Sequence, residues 1–204
     1  MRSLLDASLG ERLTREGYLG DFDRNFWAIR ECDFWKLERR QTFQEPGDDS
    51  WEAFSEGDWG TALRLIEERR DALRDYYQRI TRSGFRTRRV RVVEEPPTPY
   101  LRWELRLLRL RHEYGGSVRV VGPDAIRPME TESPIPEVVT LGEDVMYEVL
   151  YNDDGILAGG VRYTDPSLVA ECRSIIVALY ESGADLSDYF DRNRETLDPS
   201  PCGG

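Results

Sequence analysis

The stretch from Ser83 to Pro128 constrains this chain more than any other. Arg86 to Val93 is a run of β-branched and basic residues. Glu94-Glu95-Pro96-Pro97-Thr98-Pro99 is a proline-stiffened loop, Tyr100 to Tyr114 has helix length, and Gly115-Gly116 stops it before Ser117 to Gly122. Strand, helix and strand in that order, with proline and glycine at the joints, make a βαβ unit. A parallel pair needs a crossover of helix length, and such crossovers are right-handed. The segment therefore predicts adjacent parallel strands over 86–93 and 117–122, bridged by a helix over 100–114.

That helix carries an anomaly. At ~100° per residue, Arg102, Arg106 and Arg109 fall with Glu113 in one narrow stripe. Tyr100, Trp103, Leu107 and Leu110 form one apolar flank, and Leu101, Leu105 and Leu108 form the other. Glu104 and Arg111 sit between the flanks, in the middle of the apolar arc. A charge facing a core is costly unless it is paired. The two are seven residues apart, ~10.5 Å of rise, so each needs its own partner. Arg89 or Arg91 is the expected partner of Glu104, and an acid of the 143–154 segment that of Arg111. Arg89, Arg91, Glu94, Glu95, Tyr100, Glu104 and Arg111 are accordingly the candidate ligand or partner pocket, and Arg102, Arg106 and Arg109 a basic patch.

Charge is unevenly spread. Residues 83–128 hold 10 Arg against 5 acids, whereas residues 129–204 hold 4 Arg against 16 acids, in a chain whose net charge is −11. The basic island is expected to be neutralised within the fold, and the overall field disfavours direct nucleic-acid binding. No apolar run reaches ~18 residues, so no membrane span is expected. Cys32, Cys172 and Cys202 lack CxxC or zinc-ligand spacing, which fits reduced thiols and a cytoplasmic setting.

The remainder reads as follows. Ser3 to Arg15 predicts a short helix stopped at Gly17 or Gly20, and the aromatic segment from Phe22 predicts a second. Phe34 to Phe43 turns toward a strand. Asp58 caps a long helix through Arg82, closed at Gly84. Residues 124–127 read as a loop. Glu137 to Leu141 is a short strand, and Asp144 to Tyr151 pairs with Ile156 to Tyr163 through the hairpin signal Asn152-Asp153-Asp154-Gly155, with Gly159-Gly160 as a bulge. Asp165-Pro166 starts a helix to Ser182, and Asp185 to Arg194 adds an amphipathic turn or two. The expected architecture is α/β, with α+β as the alternative. It has a mixed sheet containing the βαβ unit and a C-terminal hairpin, helices against it, and an N-terminal helical and aromatic layer. One domain over 1–197 is expected, mostly helical to residue 82, with a mobile tail over 198–204.

Motifs of catalysis are scarce. His112 is the only histidine, and no GxSxG, GxxxxGK[ST] or GxGxxG occurs. No metal or cofactor is expected. Asp153-Asp154-Gly155 lacks the remaining ligands of a calcium loop.

Phe34-Trp35-Lys36-Leu37-Glu38, the run Arg89 to Pro96, and Tyr100-Leu101-Arg102-Trp103-Glu104 resemble an uncharacterised family of actinobacterial proteins. Its members are often encoded near helix-turn-helix regulators and their small acidic partners, and the likeness covers roughly residues 22–195. It implies a regulatory or accessory setting and supplies no reaction. The order of elements is also similar to one half of the phospholipase D-like fold. Its His-x-Lys-x4-Asp motif cannot be built from His112 and Lys36, so that resemblance implies a catalytically empty version.

The resulting expectation is a non-catalytic cytoplasmic module that binds a protein partner, such as a helix-turn-helix regulator, or a small ligand. The alternatives are an enzyme with its pocket at the C-terminal ends of the βαβ strands, or a nucleic-acid binder using the Arg-rich segment 86–119.

Overall fold

The βαβ unit forms as its punctuation predicts. In the structure, a computed structural model that describes residues 5–130 and 133–197, strand β3 (Thr87–Val92) lies parallel to β4 (Gly116–Val121). Helix α5 (Pro99–Glu113) joins them, and the Thr98 side chain accepts a hydrogen bond from the Leu101 N–H at its start. Gly84, at φ +83°, ends the preceding helix where an L side chain would be strained.

Around this pair the other strands complete one mixed sheet. In chain order they are β1 (Glu11–Thr14), β2 (Phe34–Glu38), β5 (Glu137–Leu141), β6 (Val145–Tyr151), β7 (Leu157–Tyr163) and β8 (Ala184–Asp185). The order across the sheet is β1-β7-β6-β5-β2-β3-β4-β8. Strand β2 is parallel to β3 and antiparallel to β5, so it divides the parallel trio β2-β3-β4, with the short β8 antiparallel at its edge, from an antiparallel half. The β6–β7 hairpin forms as expected, with a register irregularity at Leu150/Tyr151 opposite Gly159.

Both faces are covered. One face packs Leu37, Val90, Val138 and Met146 against Val169, Cys172 and Ile176 of α7 (Pro166–Ser182). The other lies beneath α1 (Arg15–Ala28), α4 (Arg70–Arg82) and α5. The two apolar flanks of α5 meet different neighbours. Leu101, Leu105 and Leu108 join β4 and α8 (Leu186–Arg192), whereas Tyr100, Trp103, Leu107 and Leu110 join α3 (Trp59–Glu68). Each of those fully buried leucines stabilises the fold by roughly 1.5–3 kcal/mol.

Three local expectations fail. The N-terminal helix is a 3₁₀ turn (Ala7–Leu9) followed by β1, and α1 begins only after Thr14. Thr14 accepts from the Gly17 N–H, so Gly17 and Gly20 lie inside the helix rather than stopping it. Pairing with β7 outweighs the helical spacing of Leu5, Leu9 and Leu13, and Leu9 stays 72% exposed. The long helix breaks at Arg69, whose guanidinium turns back to Asp48 at 2.7 Å and to Asp49, at the start of α2 (Asp49–Ser55). Residues 123–126 form a short helix, α6 (Pro123–Ile126), because Pro123 suits a first helical position and Ile126 is fully buried. A further short helix, α9 (Arg194–Leu197), ends the described chain, and the tail 198–204 lies outside the described residues. Among the described residues no helix is long and apolar enough to cross a membrane.

Candidate functional site

Register and period place the site. Parallel pairing sets Phe34 beside Thr87, Lys36 beside Arg89 and Glu38 beside Arg91. Across the next pair, Thr87 meets Gly116 and Arg89 meets Val118. Alternation along each strand turns all of these toward α1, α4 and α5. Helix α5 returns over the strands in the opposite sense. Glu104 therefore lies near the C-terminal end of β3, and Arg111 above the N-terminal ends of β3 and β4.

A charged layer is buried beneath the helix. Arg91 is 0% exposed and donates from Nε to Glu104 Oε2 at 2.8 Å, with weaker bonds from Nη1 to the carbonyls of Glu38 and Val92 at 3.3 Å. Glu38 accepts from Lys36 Nζ at 2.5 Å and from Arg89. Burial disfavours the Glu38 carboxylate, yet Arg89, Lys36 and Arg91 outweigh it and hold the group well below the usual carboxylate range. Burial, then the charge of Glu38, pushes Glu104 upward against the pull of Arg91. Glu137 accepts from the backbone N–H groups of Arg39 and Arg40 at 2.9 and 2.6 Å. Burial first and Glu38 second push it up to about 7.

Beside this layer opens a cavity of about 180 Å³. Its walls are aromatic: Tyr18, Phe22, Phe26, Phe34, Tyr76 and Tyr77. Phe22 meets Phe34 edge to face at 6.1 Å between centroids, and Tyr18 meets Tyr147 likewise at 5.3 Å. Gly116 makes room for one wall, since a Cβ there would lie 2.3 Å from the Tyr77 hydroxyl. Beside the tyrosines, the polar residues on the lining are Lys36, Thr87, Arg88, Arg89, Arg111 and Ser117, of which Arg88 pairs with Asp33 and Ser117 bonds the Tyr180 hydroxyl. Among the described residues no three His, Cys, Asp or Glu side chains cluster as metal ligands do. The donors facing the cavity are cationic and suit an anion.

Residues 20–191, most of the chain and all of this site apart from Tyr18, match the family described as domain of unknown function DUF6879. The chain belongs to that family. No curated protein matches it.

The DUF6879 domain separates the residues grouped by the sequence. Arg89 and Arg111 line the cavity, and Arg91 and Glu104 form the buried pair behind it. Glu94, Glu95 and Tyr100 lie toward the other end, where Glu94 pairs with Arg39 at 2.6 Å, Glu95 accepts from the Tyr189 hydroxyl and Tyr100 donates to Glu45. Arg111 departs from expectation. Among the described residues no carboxylate pairs with it, and Glu143, at the head of the 143–154 segment, pairs with Arg173 of α7 at 3.0 Å. The stripe of Arg102, Arg106 and Arg109 runs under the C-terminal helices. Arg106 and Arg109 stand over the Phe190 ring at 5.3 and 5.1 Å, and Arg102 reaches the Pro97 carbonyl.

The C-terminal ends of β2 and β3 are tied together by side-chain hydrogen bonds among the described residues. Gln41 bonds the Val92 carbonyl and the Glu94 N–H there, Thr98 bonds the Gln41 carbonyl, and Arg39 spans Glu94 and Glu130. The cavity lies at the opposite ends of the strands from the switch-point crevice typical of such sheets. Sequence reasoning missed Lys36, Thr87 and the aromatic walls. The available signal was the alternation Phe34, Lys36, Glu38, read together with the aromatic spacing of Phe22 and Phe26.

Glu137 yields a pH prediction. Its folded value of about 7 exceeds the ordinary 4.5. Between those limits the folded state holds a proton that the unfolded state releases, so this group's contribution to stability falls as pH rises from about 4.5 to about 7. The slope is at most ~1.4 kcal/mol per pH unit. Urea midpoints of wild type and Glu137→Gln across that window should diverge, with the slope absent in the variant. Parallel curves would remove Glu137 as the titrating group.

Proposed function

We propose that this DUF6879 domain is a non-catalytic binding module that holds a small ligand in the cavity between the sheet and helices α1, α4 and α5, in a regulatory or accessory role. The observation carrying this reading is the cavity itself, walled by six aromatic side chains and floored by cationic ones. Concave sites that combine aromatic walls with convergent polar groups are where proteins bind small molecules. The carboxylates nearest the cavity are engaged: Glu38 with Lys36 and Arg89, Glu104 with Arg91, and Glu137 with backbone N–H groups. Donors that hold an anion, rather than an acid and base poised for proton transfer, fit a role in binding.

Ligand-observed NMR with a panel of single-ring fragments tests the reading. Val139 is buried and lines the cavity, so Val139→Phe fills existing space. Its melt should stay within ~1.5 kcal/mol of wild type. Fragments should bind wild type and lose contact with Val139→Phe. A panel that binds neither protein, or both equally, would remove the cavity as a ligand site.

A further inference from the structure

We propose that the ligand is a monoanionic carboxylate carried on a single planar ring, with its carboxylate held by Arg111 and Thr87. This rests on the reading of the cavity as a ligand site and adds the chemistry of its occupant.

Charge favours an anion in the cavity. The cationic side chains under α5 include Lys36, Arg89, Arg91 and Arg111, with the carboxyl groups of Glu38, Glu45, Glu104 and Glu137 around them. Lys36 and Arg89 share Glu38, and Arg91 takes Glu104. Arg111 is left with no ion pair among the described residues. A guanidinium with no carboxylate beside it in a half-enclosed site calls for a negative charge.

Unmet hydrogen bonds mark where that anion sits. Arg111 Nε and Thr87 Oγ1 are both buried, both without a hydrogen-bond partner, and both belong to residues lining this cavity. Buried polar atoms are ordinarily satisfied, and an orphan pair on one cavity marks where a ligand's polar group is missing. A guanidinium donates to a carboxylate in a fork, and a hydroxyl can add a donor to the same oxygens.

Size and shape favour a single ring. An apolar cavity of ~150 Å³ accommodates benzene, and this one measures about 180 Å³, enough for one ring with a small substituent. Edge-to-face walls such as Phe22 and Phe34 complement a flat π-system.

Calorimetry on the full chain with benzoate, benzamide and inorganic phosphate separates these elements. Benzoate should bind, and benzamide, the neutral isostere, should bind at least roughly tenfold more weakly because the charge-assisted bond is lost. Arg111→Met should weaken benzoate by a similar factor, and Arg111→Lys should recover part of it. Thr87→Val should weaken it less than Arg111→Met. Equal binding of benzamide and benzoate would overturn the charge claim while leaving the cavity as a ligand site. Phosphate competing as strongly as benzoate would overturn the ring claim. No benzoate binding, alongside fragment hits that Val139→Phe removes, would overturn this inference alone. The benzamide comparison uses wild type, so it holds even if an Arg111 variant folds poorly.

Discussion

Replacing Arg91 by methionine is expected to lower stability by about 3–5 kcal/mol, the cost of breaking a buried ion pair from one side. For a chain of this length that corresponds to roughly 6–20 °C in melting temperature. The motive is the complete burial of Arg91 and its 2.8 Å bond to Glu104, with Glu38 next in the chain of charges. Methionine keeps much of the length but strands the Glu104 carboxylate in the interior, whereas Glu38 keeps Lys36 and Arg89. Glu104→Gln should cost less, about 1–3 kcal/mol, because its amide oxygen still accepts from Arg91 Nε. The double variant Arg91→Met/Glu104→Leu should recover part of the loss, since apolar replacement of a whole buried pair is often neutral or better. Chemical denaturation of the three variants measures this. A wild-type midpoint for Arg91→Met would show that the pair contributes nothing to stability.

The second large effect is expected at Gly159→Ala. Gly159 has φ +147°, a conformation that side chains rarely adopt, and a Cβ there would lie 2.2 Å from the Leu13 carbonyl oxygen in β1. Strain and overpacking together should cost about 2–4 kcal/mol. The loss should begin at β1, because the obstructed atom is its backbone. Hydrogen exchange should therefore show β1 amides losing protection before those of β3. The neighbouring Gly160 touches Tyr18, a cavity wall, where a Cβ would come 2.9 Å from the ring. Displacing β1 and α1 should consequently weaken ligand binding as well. Unchanged protection in β1 would contradict the assignment of Gly159 as the point of close approach.

The parallel core was legible because its signals are local. Glycine and proline at 84, 96–99 and 115–116 bound a strand, a helix and a strand, and the Asn152–Gly155 turn bounds the hairpin. The wheel of α5 also placed Glu104 and Arg111 correctly on the inward face. What it could not supply was the other side of each contact. Arg91 and Arg89 were equal candidates for Glu104 until α5 was fixed lengthwise over β3, and Arg111 met no acid because Glu143 faces α7. Strand β1 was invisible for the same reason. Its leucines have helical spacing, and only the glycine-rich edge of β7, far along the chain, makes an extended conformation preferable. The cavity draws on α1, β2, α4, β3, α5, β4 and β5, so no single window of sequence contains it.

The position of β2 has a consequence for how the chain acquires its shape. This strand bonds on one side to residues about 50 positions later and on the other to residues about 100 positions later, so both of its edges are closed by distant segments. Local contacts can build the α1, α3 and α4 helices early, but they cannot satisfy the backbone of Phe34–Glu38. On a ribosome making the chain from its N-terminus, β2 gains its first edge partner when β3 emerges and its second only with β5. Until then it exposes an unpaired strand edge flanked by aromatic residues. Folding of this topology is accordingly expected to be slow for its size, with the hazard of association concentrated in the interval before residue 141 is made.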